Sequence, residues 1–278
     1  MKNKLIIFLI LTFFVSETPF AEKYRFEVSE IELTNNGNLI NANQGKLFSE
    51  NNELEISAEK FIYNKNSDFL ESYNGSAFFK LSNLEIQFKK LEADNNNLTL
   101  SATDEVKIYD LKNSINIEAN TAIFDRKNNI LKASGEVKIY DLKNSINIEA
   151  KNVLLDKKKD ILTAIGEVKI YNLENSLNIL GETLIFDKKN NTLTISDEVK
   201  INDIENSLDI KAETIILNKD KDILTASGKV KIHDLKNLLN IETETIILDR
   251  KNNILSSLFD SVLVDRFNNI FKTKNFEY

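Results

Sequence analysis

The chain has 278 residues, of which 42% are hydrophobic and 28% charged, so it is long enough to bury a substantial core. It contains no cysteine, one histidine and no tryptophan, which excludes disulfide scaffolds, thiol nucleophiles, thiolate zinc sites and iron–sulfur clusters. The formal net charge is -7, and lysines alternate with carboxylates along the chain. Because phosphate-driven binding requires a basic face, nucleic acid is not an expected partner.

The N-terminus has the pattern of an export signal. Lys2 and Lys4 precede an apolar run over residues 5–15, and a polar stretch then leads to Ala21. The run is about half of the roughly 20 apolar residues that a membrane span needs, which favours a signal peptide over residues 1–21 above a retained anchor. Pro19 stands where a small residue is usual, so cleavage itself stays open. We expect the protein to be located in the periplasm. Whether it associates with the outer membrane stays open.

An internal repeat covers most of the chain, and such a repeat determines the fold. A valine followed by Lys-Ile recurs every 31 residues, at Val106, Val137, Val168, Val199 and Val230. The fifteen residues that begin at position 105 recur unchanged from position 136. We therefore predict one β-repeat domain over residues 22–278, with the most exact repeats at about 104–258.

Each unit of the repeat contains two strands and two turns. Val106 and Ile108 alternate with polar neighbours, and residues 115–118 alternate again, which is the period of half-buried strands. Residues 110–113 lie between them, with Asp and Asn at the two ends, as is typical of a turn. A second turn opens at Asp125 and recurs in later units.

A break in the middle of each strand predicts a bend. Residues that tolerate positive φ stand at the breaks, at Gly135, Gly166, Gly228, Asp104 and Asp197, with Gly45 and Gly75 interpreted as upstream equivalents of Gly135. Each strand would begin in one sheet and finish in a second, giving an all-β, folded-over antiparallel sheet with an apolar interior. A right-handed parallel solenoid is the alternative, but two Asx turns per unit favour up-and-down strands.

No residue pattern predicts a catalytic, metal or cofactor site. His233 falls in register with Tyr109 and Tyr140 at a solvent-facing strand position, which indicates a structural residue. The second-turn aspartates, from Asp125 to Asp249, are interpreted as turn caps, because the glycine-rich nonapeptides of calcium-binding β-rolls are absent. We predict that the protein is not an enzyme.

Apolar columns run through the repeat and offer the only candidate site. Two interpretations stay open: a dry core that joins the two sheets, or sheets that splay so that the columns line an apolar trough. Ile123 belongs to the apolar columns of the first exact unit. In the trough interpretation the lining residues are Val106, Ile108, Ile115, Ile117, Phe124, Val137, Ile139, Ile146, Ile148, Val168, Ile170, Leu177, Ile179 and Phe186.

The residue pattern of the repeat resembles that of the OstA-like domain of lipopolysaccharide transport, which is found as periplasmic LptA and as the N-terminal periplasmic part of LptD. The resemblance lies in residues 119–125 followed by 128–137, and a similar residue pattern occurs at 58–63. The opening residues 26–37 are similar to the N-terminal part of LptD. The resemblance covers nearly all of the chain after residue 21. It implies an elongated, open antiparallel β-jellyroll built from units of about 31 residues, whose interior carries acyl chains.

The resemblance also implies partners and a function. We expect a periplasmic protein that binds lipopolysaccharide or lipid A and carries its acyl chains toward the outer membrane as a bridge component. It would join other lipopolysaccharide-transport proteins, or copies of itself, by edge-strand pairing. Whether it acts as an LptA-like bridge or as a shortened LptD stays open. The alternative function is a structural or adhesive exported β-solenoid with a dry core.

Overall fold

A computed structural model describes residues 24–278 except residues 144, 173–175, 206 and 253, so the predicted signal peptide lies outside the described residues. The strands are β1 (Tyr24–Thr34), β2 (Leu39–Ser49), β3 (Leu54–Asn64), β4 (Phe69–Phe79), β5 (Leu84–Asp94), β6 (Thr99–Asp110), β7 (Ile115–Asp125), β8 (Ile130–Asp141), β9 (Ile146–Asp156), β10 (Ile161–Asn172), β11 (Leu177–Asp187), β12 (Thr192–Asp203), β13 (Leu208–Asn218), β14 (Ile223–Asp234), β15 (Leu239–Asp249), β16 (Ile254–Ser257), β17 (Ser261–Val264), β18 (Ile270–Thr273) and β19 (Phe276–Glu277).

The strands form one antiparallel meander. From β1 to β15 each strand pairs with the strand that follows it. The short strands β16 and β17 both pair with β15, and β18 and β19 extend them. Among the described strands no pairing joins β1 to the C-terminal strands, so the sheet is open. The antiparallel all-β prediction is confirmed, and the parallel solenoid is excluded.

A bulge bends each even-numbered strand from β6 to β14 at its middle. In β6, Thr103 pairs with Thr121 and Val106 pairs with Ala119, so two residues of β6 oppose one residue of β7. The two residues of the bulge, Asp104 and Glu105, both have positive φ, as do their equivalents in later units. A bulge of this kind bends the strand and raises its twist. The sheet therefore folds over along these positions, and its inward side chains form one apolar cluster.

The predicted register of Gly45 and Gly75 is wrong. Both glycines pair with Ala58, which is the position that Val106 holds opposite Ala119, two residues beyond the bulge position of Gly135. We call the bend in the middle of each even-numbered strand the corner. The corner is shorter in β2 and β4, because each has one positive-φ residue there, whereas each later even-numbered strand has two. The sequence period alone does not reveal which unit lacks the extra residue.

The turns are capped as predicted and form two rows. The even row consists of the turns that follow β2, β4 and each later even-numbered strand to β14, and the odd row consists of those that follow the odd-numbered strands. In the odd row, Asp187 accepts hydrogen bonds from the backbone and side-chain amides of Asn190, at 3.0 and 2.7 Å. In the even row, Asp110 accepts the same pair of bonds from Asn113.

These caps predict a loss of stability in acid. Hydrogen bonds from Asn190 lower the pKa of Asp187 below its usual value of 3.8, and Asp125 and Asp249 have lowered pKa values for the same reason. A lowered folded-state pKa contributes stability above the unfolded value, and that contribution is lost as pH falls through the folded value. The urea midpoint should therefore fall as pH drops below about 4.

The variant Asp187→Asn is the control for this prediction. Asn218 occupies the equivalent position in the next odd-row turn and caps Lys221 without a titrating group. The variant should therefore keep its turn at neutral pH and lose less stability in acid than the unaltered chain. Equal acid dependence of the two chains would contradict the assignment of the effect to the caps.

Candidate functional site

The interior between the two sheet layers is the candidate site. All the residues predicted to line a trough are buried, from Ile108 at 0% exposed to Phe186 at 9%. Alternation within each strand places them inward, because Lys107 and Tyr109 on either side of Ile108 face outward. A closed core and a lipid-lined trough both require such burial, so the assignment of these residues to lipid stays a prediction.

Ile123 does not belong to the interior, and that expectation is wrong. Its side chain is 46% exposed, whereas Ala122 and Phe124 on either side are buried. The strand changes phase at the corner and then resumes strict alternation, so the middle residue of the apolar stretch 122–124 points outward. Its equivalents Ile185 and Ile216 are exposed in the same way.

The two turn rows meet along a line that we call the seam. Ser82 of the even row donates a side-chain hydrogen bond to Asn129 of the odd row, at 3.4 Å. Beside them the rings of Phe79 and Phe124 pack edge to face, with centroids 4.8 Å apart. The turn of Ser82 follows β4 and that of Asn129 follows β7, so this contact spans three strands of the twisted sheet. The seam thus closes the side of the interior opposite the corner.

An ion pair crosses the seam one unit further on. Lys157 Nζ lies 3.1 Å from a carboxylate oxygen of Asp110, and the two side chains are 7% and 0% exposed. The same ammonium donates a hydrogen bond to the backbone carbonyl of Ser82, at 3.0 Å. A buried charge is tolerated only when it is paired and hydrogen-bonded, as both charges are here.

The charges at the seam repeat with the sequence period. The odd row carries a column of cations at Arg126, Lys157, Lys188, Lys219 and Arg250, which we call the seam cations. The even row carries buried aspartates at Asp110, Asp141, Asp203 and Asp234. This arrangement was not predicted, because Asp110 and Asn113 at the two ends of a four-residue segment indicate only a turn. The detectable signal is a basic residue directly after every second-turn Asx.

Within the described part of the chain, Lys188 differs from Lys157 in having no direct acceptor. Its Nζ is buried and has no hydrogen-bond partner among the described residues. Burial lowers the pKa of Lys188, although the nearby carboxylates of Asp110, Asp160 and Asp141 oppose that effect. A buried ammonium without an acceptor is energetically unfavourable and is suited to an anion.

An aliphatic rim borders the seam. The first residue of four even-row turns is a large aliphatic side chain, more than half exposed, at Leu111, Leu142, Ile204 and Leu235. A groove of about 440 Å³ opens at the seam and is lined by Phe79, Leu81, Leu98, Phe124 and Arg126 among others. Aliphatic and cationic groups therefore lie side by side along the line where the interior meets solvent.

Other candidate chemistry is sparse in the described part of the chain. His233 is exposed and contacts the side chain of Asn240, which confirms the predicted solvent-facing position. No group of three or more His, Cys, Asp or Glu residues there is arranged to hold a metal ion. Within the described residues, no helix has the length and apolar character to cross a membrane.

The geometry defines a class: an elongated, open antiparallel β-jellyroll folded over an apolar interior. No family model matches the chain, and no curated protein matches it. Among solved structures it is similar to LptH of Pseudomonas aeruginosa, described as the LptA homologous periplasmic component of the lipopolysaccharide transport device. The identity is 18% and the TM-score 0.39, over 42% of this chain and 84% of that chain.

Proposed function

We propose that the protein is a periplasmic lipid-conduit protein that binds the acyl chains of lipopolysaccharide or lipid A in its interior. The observation that carries the proposal is an apolar cluster that continues without interruption from β2 to β16. Every repeat contributes the same inward aliphatic positions, so the interior has the same chemistry along its length. A long, uniform apolar space suits flexible acyl chains better than a compact polar ligand.

The proposed role is to carry lipid toward the outer membrane as one component of a bridge. β1 pairs with β2 alone among the described strands, so an edge of 11 residues is free to accept another strand. Ile31 and Leu33, in the C-terminal half of β1, are exposed. Free edges of this kind pair with other chains. The proposed partners are other lipopolysaccharide-transport proteins or further copies of this chain.

A structural or adhesive exported β-repeat is the second candidate function. Tight burial of the inward columns and the closed seam favour it, because a dry core needs no ligand to be stable. The two candidates differ in one observable property. Only a conduit places lipid in contact with side chains such as Ile117, which is 1% exposed in the structure.

Photocrosslinking in cells separates the two candidates. A photoreactive residue at Ile117 should form a covalent adduct with lipopolysaccharide, because that side chain points into the interior. The same probe at Asn116 is the matched control, since Asn116 is adjacent but faces outward. Adducts at position 117 and not at 116 support the conduit. No adduct at either position, in a folded periplasmic chain, would contradict it and favour the structural β-repeat.

A further inference from the structure

We propose that the outer face of one sheet layer binds a linear β-1,4-linked glycan of N-acetylated sugars. The site is a line of side chains that crosses the strands at right angles, and we call it the tyrosine ladder. It consists of Tyr109, Asn116, Tyr140, Asn147, Tyr171 and Asn178. The ladder lies on the solvent side of the sheet, so this inference goes beyond the proposed function and is independent of what the interior binds.

The register of the sheet places the residues of the tyrosine ladder side by side. Tyr109 on β6 pairs with Asn116 on β7, which pairs with Tyr140 on β8. Asn147 on β9 lies between Tyr140 and Tyr171, and the same register continues to β11. Alternation with buried neighbours along each strand makes these side chains face outward. Each strand from β6 to β11 therefore contributes one outward-facing residue, with a tyrosine on every second strand.

The spacing of the tyrosine ladder matches a β-1,4-linked glycan. Neighbouring strands lie about 4.8 Å apart, so each ladder residue covers close to the length of one pyranose unit. The tyrosines recur every two strands, or roughly every 10 Å, which is close to the length of the disaccharide repeat of such a glycan. Successive sugars in a β-1,4 linkage are turned over relative to each other, so the ligand presents the same edge at every second unit. The period of the ladder and the period of the ligand therefore coincide.

The side chains of the tyrosine ladder have the chemistry that binds N-acetylated sugars. A tyrosine ring packs against the C–H groups of a pyranose, and its hydroxyl hydrogen-bonds at the edge of that contact. Tyr109 is half-buried, and its hydroxyl lies 3.5 Å from Oε1 of Gln87 on β5, so the ring leans along the sheet surface. The side-chain amides of Asn116 and Asn147 both donate and accept hydrogen bonds, as the acetamido group of the sugar does. The ladder contains no charged residue, so a neutral glycan binds it without desolvation of a charge.

The fold itself does not require tyrosine at these positions. Asn202 and His233 occupy the same strand position in later units, where they contact Asp209 and Asn240 on the next strand. From β12 to β15 the outward residues therefore contact one another. In the tyrosine ladder, no hydrogen bond between described residues joins a tyrosine to the asparagine beside it. The rings and amides of the ladder are thus available to a ligand.

Titration with sugar hexamers of known linkage tests the proposal. The probe is the β-1,4-linked hexamer of N-acetylglucosamine, added to the purified chain and followed by calorimetry. Cellohexaose has the same linkage without acetamido groups and should bind about fivefold more weakly. Maltohexaose has an α-1,4 linkage, which curls the chain, and should not bind. No binding of the N-acetylglucosamine hexamer, or equal binding of maltohexaose, would overturn the proposal.

Substitution of a ladder tyrosine locates the bound glycan. Tyr140→Ala should weaken binding of the N-acetylglucosamine hexamer about tenfold, because it removes the ring in the middle of the ladder, whereas Tyr140→Phe should keep the affinity within about twofold. Tyr73→Ala is the matched control. Tyr73 is also half-buried and outward-facing, but it lies on β4, where Nζ of Lys60 and of Lys90 lie 5.8 and 5.9 Å from its ring centre. Equal losses in Tyr140→Ala and Tyr73→Ala would overturn the ladder as the site.

Asn147→Ala provides a second readout that does not remove a ring. Its side chain is half-buried on the outer face, and the urea midpoint verifies that each variant is folded. Loss of the amide should weaken binding of the N-acetylglucosamine hexamer about fivefold and leave binding of cellohexaose unchanged, because only the first ligand has acetamido groups. An equal effect on both hexamers, or no effect on either, would overturn the recognition of N-acetylated sugars by the ladder.

Discussion

Substitution of Gly75 by alanine should destabilise the protein strongly. A Cβ built at Gly75 would lie 2.1 Å from the backbone oxygen of Ser57 and 2.8 Å from the Cβ of Ala58. Both contacts come from β3, which is held by its own pairings and cannot withdraw. Overpacking of this kind costs about 3 kcal/mol of unfolding free energy, measured as a shift of the urea midpoint.

Gly37→Ala provides the control for Gly75→Ala. Gly37 has φ of +80° but open space around it, with no atom within 4 Å of an added Cβ. The expected loss is about 1 kcal/mol, from backbone strain alone. Repeat arrays can unfold in parts, so hydrogen exchange of the β3 and β5 amides should accompany the urea experiment. Comparable losses in the two variants would show that close strand approach at Gly75 is not the controlling factor.

Removal of the seam ion pair is the second large effect. Lys157→Met leaves Asp110 with a fully buried carboxylate and no cation within bonding distance in the described structure. Breaking a buried pair by removing one partner costs about 3 to 5 kcal/mol, and we expect the lower end because Asn113 still donates to Asp110. Thermal or urea unfolding measures the loss.

Two further variants distinguish loss of the charge from loss of packing in Lys157→Met. Lys151 and Glu167 form a pair at 2.6 Å whose side chains are 61% and 66% exposed, and Lys151→Met should leave the urea midpoint unchanged because solvent screens an exposed pair. The double variant Asp110→Asn with Lys157→Met removes both charges and should recover most of the loss. A double variant as unstable as Lys157→Met alone would mean that packing of the lysine chain, and not charge, stabilises the seam.

Much of the fold follows from local rules that the sequence obeys in every unit. Alternation at Val106 and Ile108 predicts strands, and Asp and Asn at turn ends predict where the strands stop. Gly135 predicts a positive φ at the corner and has one, at 80°. These features depend on neighbours within a few residues, so a single sequence contains the information needed to predict them.

The features that sequence reasoning missed depend on contacts distant along the chain. The orientation of Ile123 depends on the change of phase where β7 passes the corner, which the apolar residues 122–124 do not reveal. The pairing of Lys157 with Asp110 depends on the twist of the whole sheet, which offsets the two turn rows by three strands. A repeating basic residue after each Asx is visible in the sequence, but only the folded sheet places it opposite a carboxylate.

Because the repeat contains identical stretches, the length of the molecule depends on the number of repeat units. Each unit pairs only with its neighbours in the sheet, and the seam contacts of Ser82 with Asn129 and of Lys157 with Asp110 both span three strands. Gain or loss of one unit therefore preserves every contact type while changing the length by two strands, or about 10 Å. Duplication of such a unit within the gene therefore lengthens the protein by a fixed increment and requires no new type of contact.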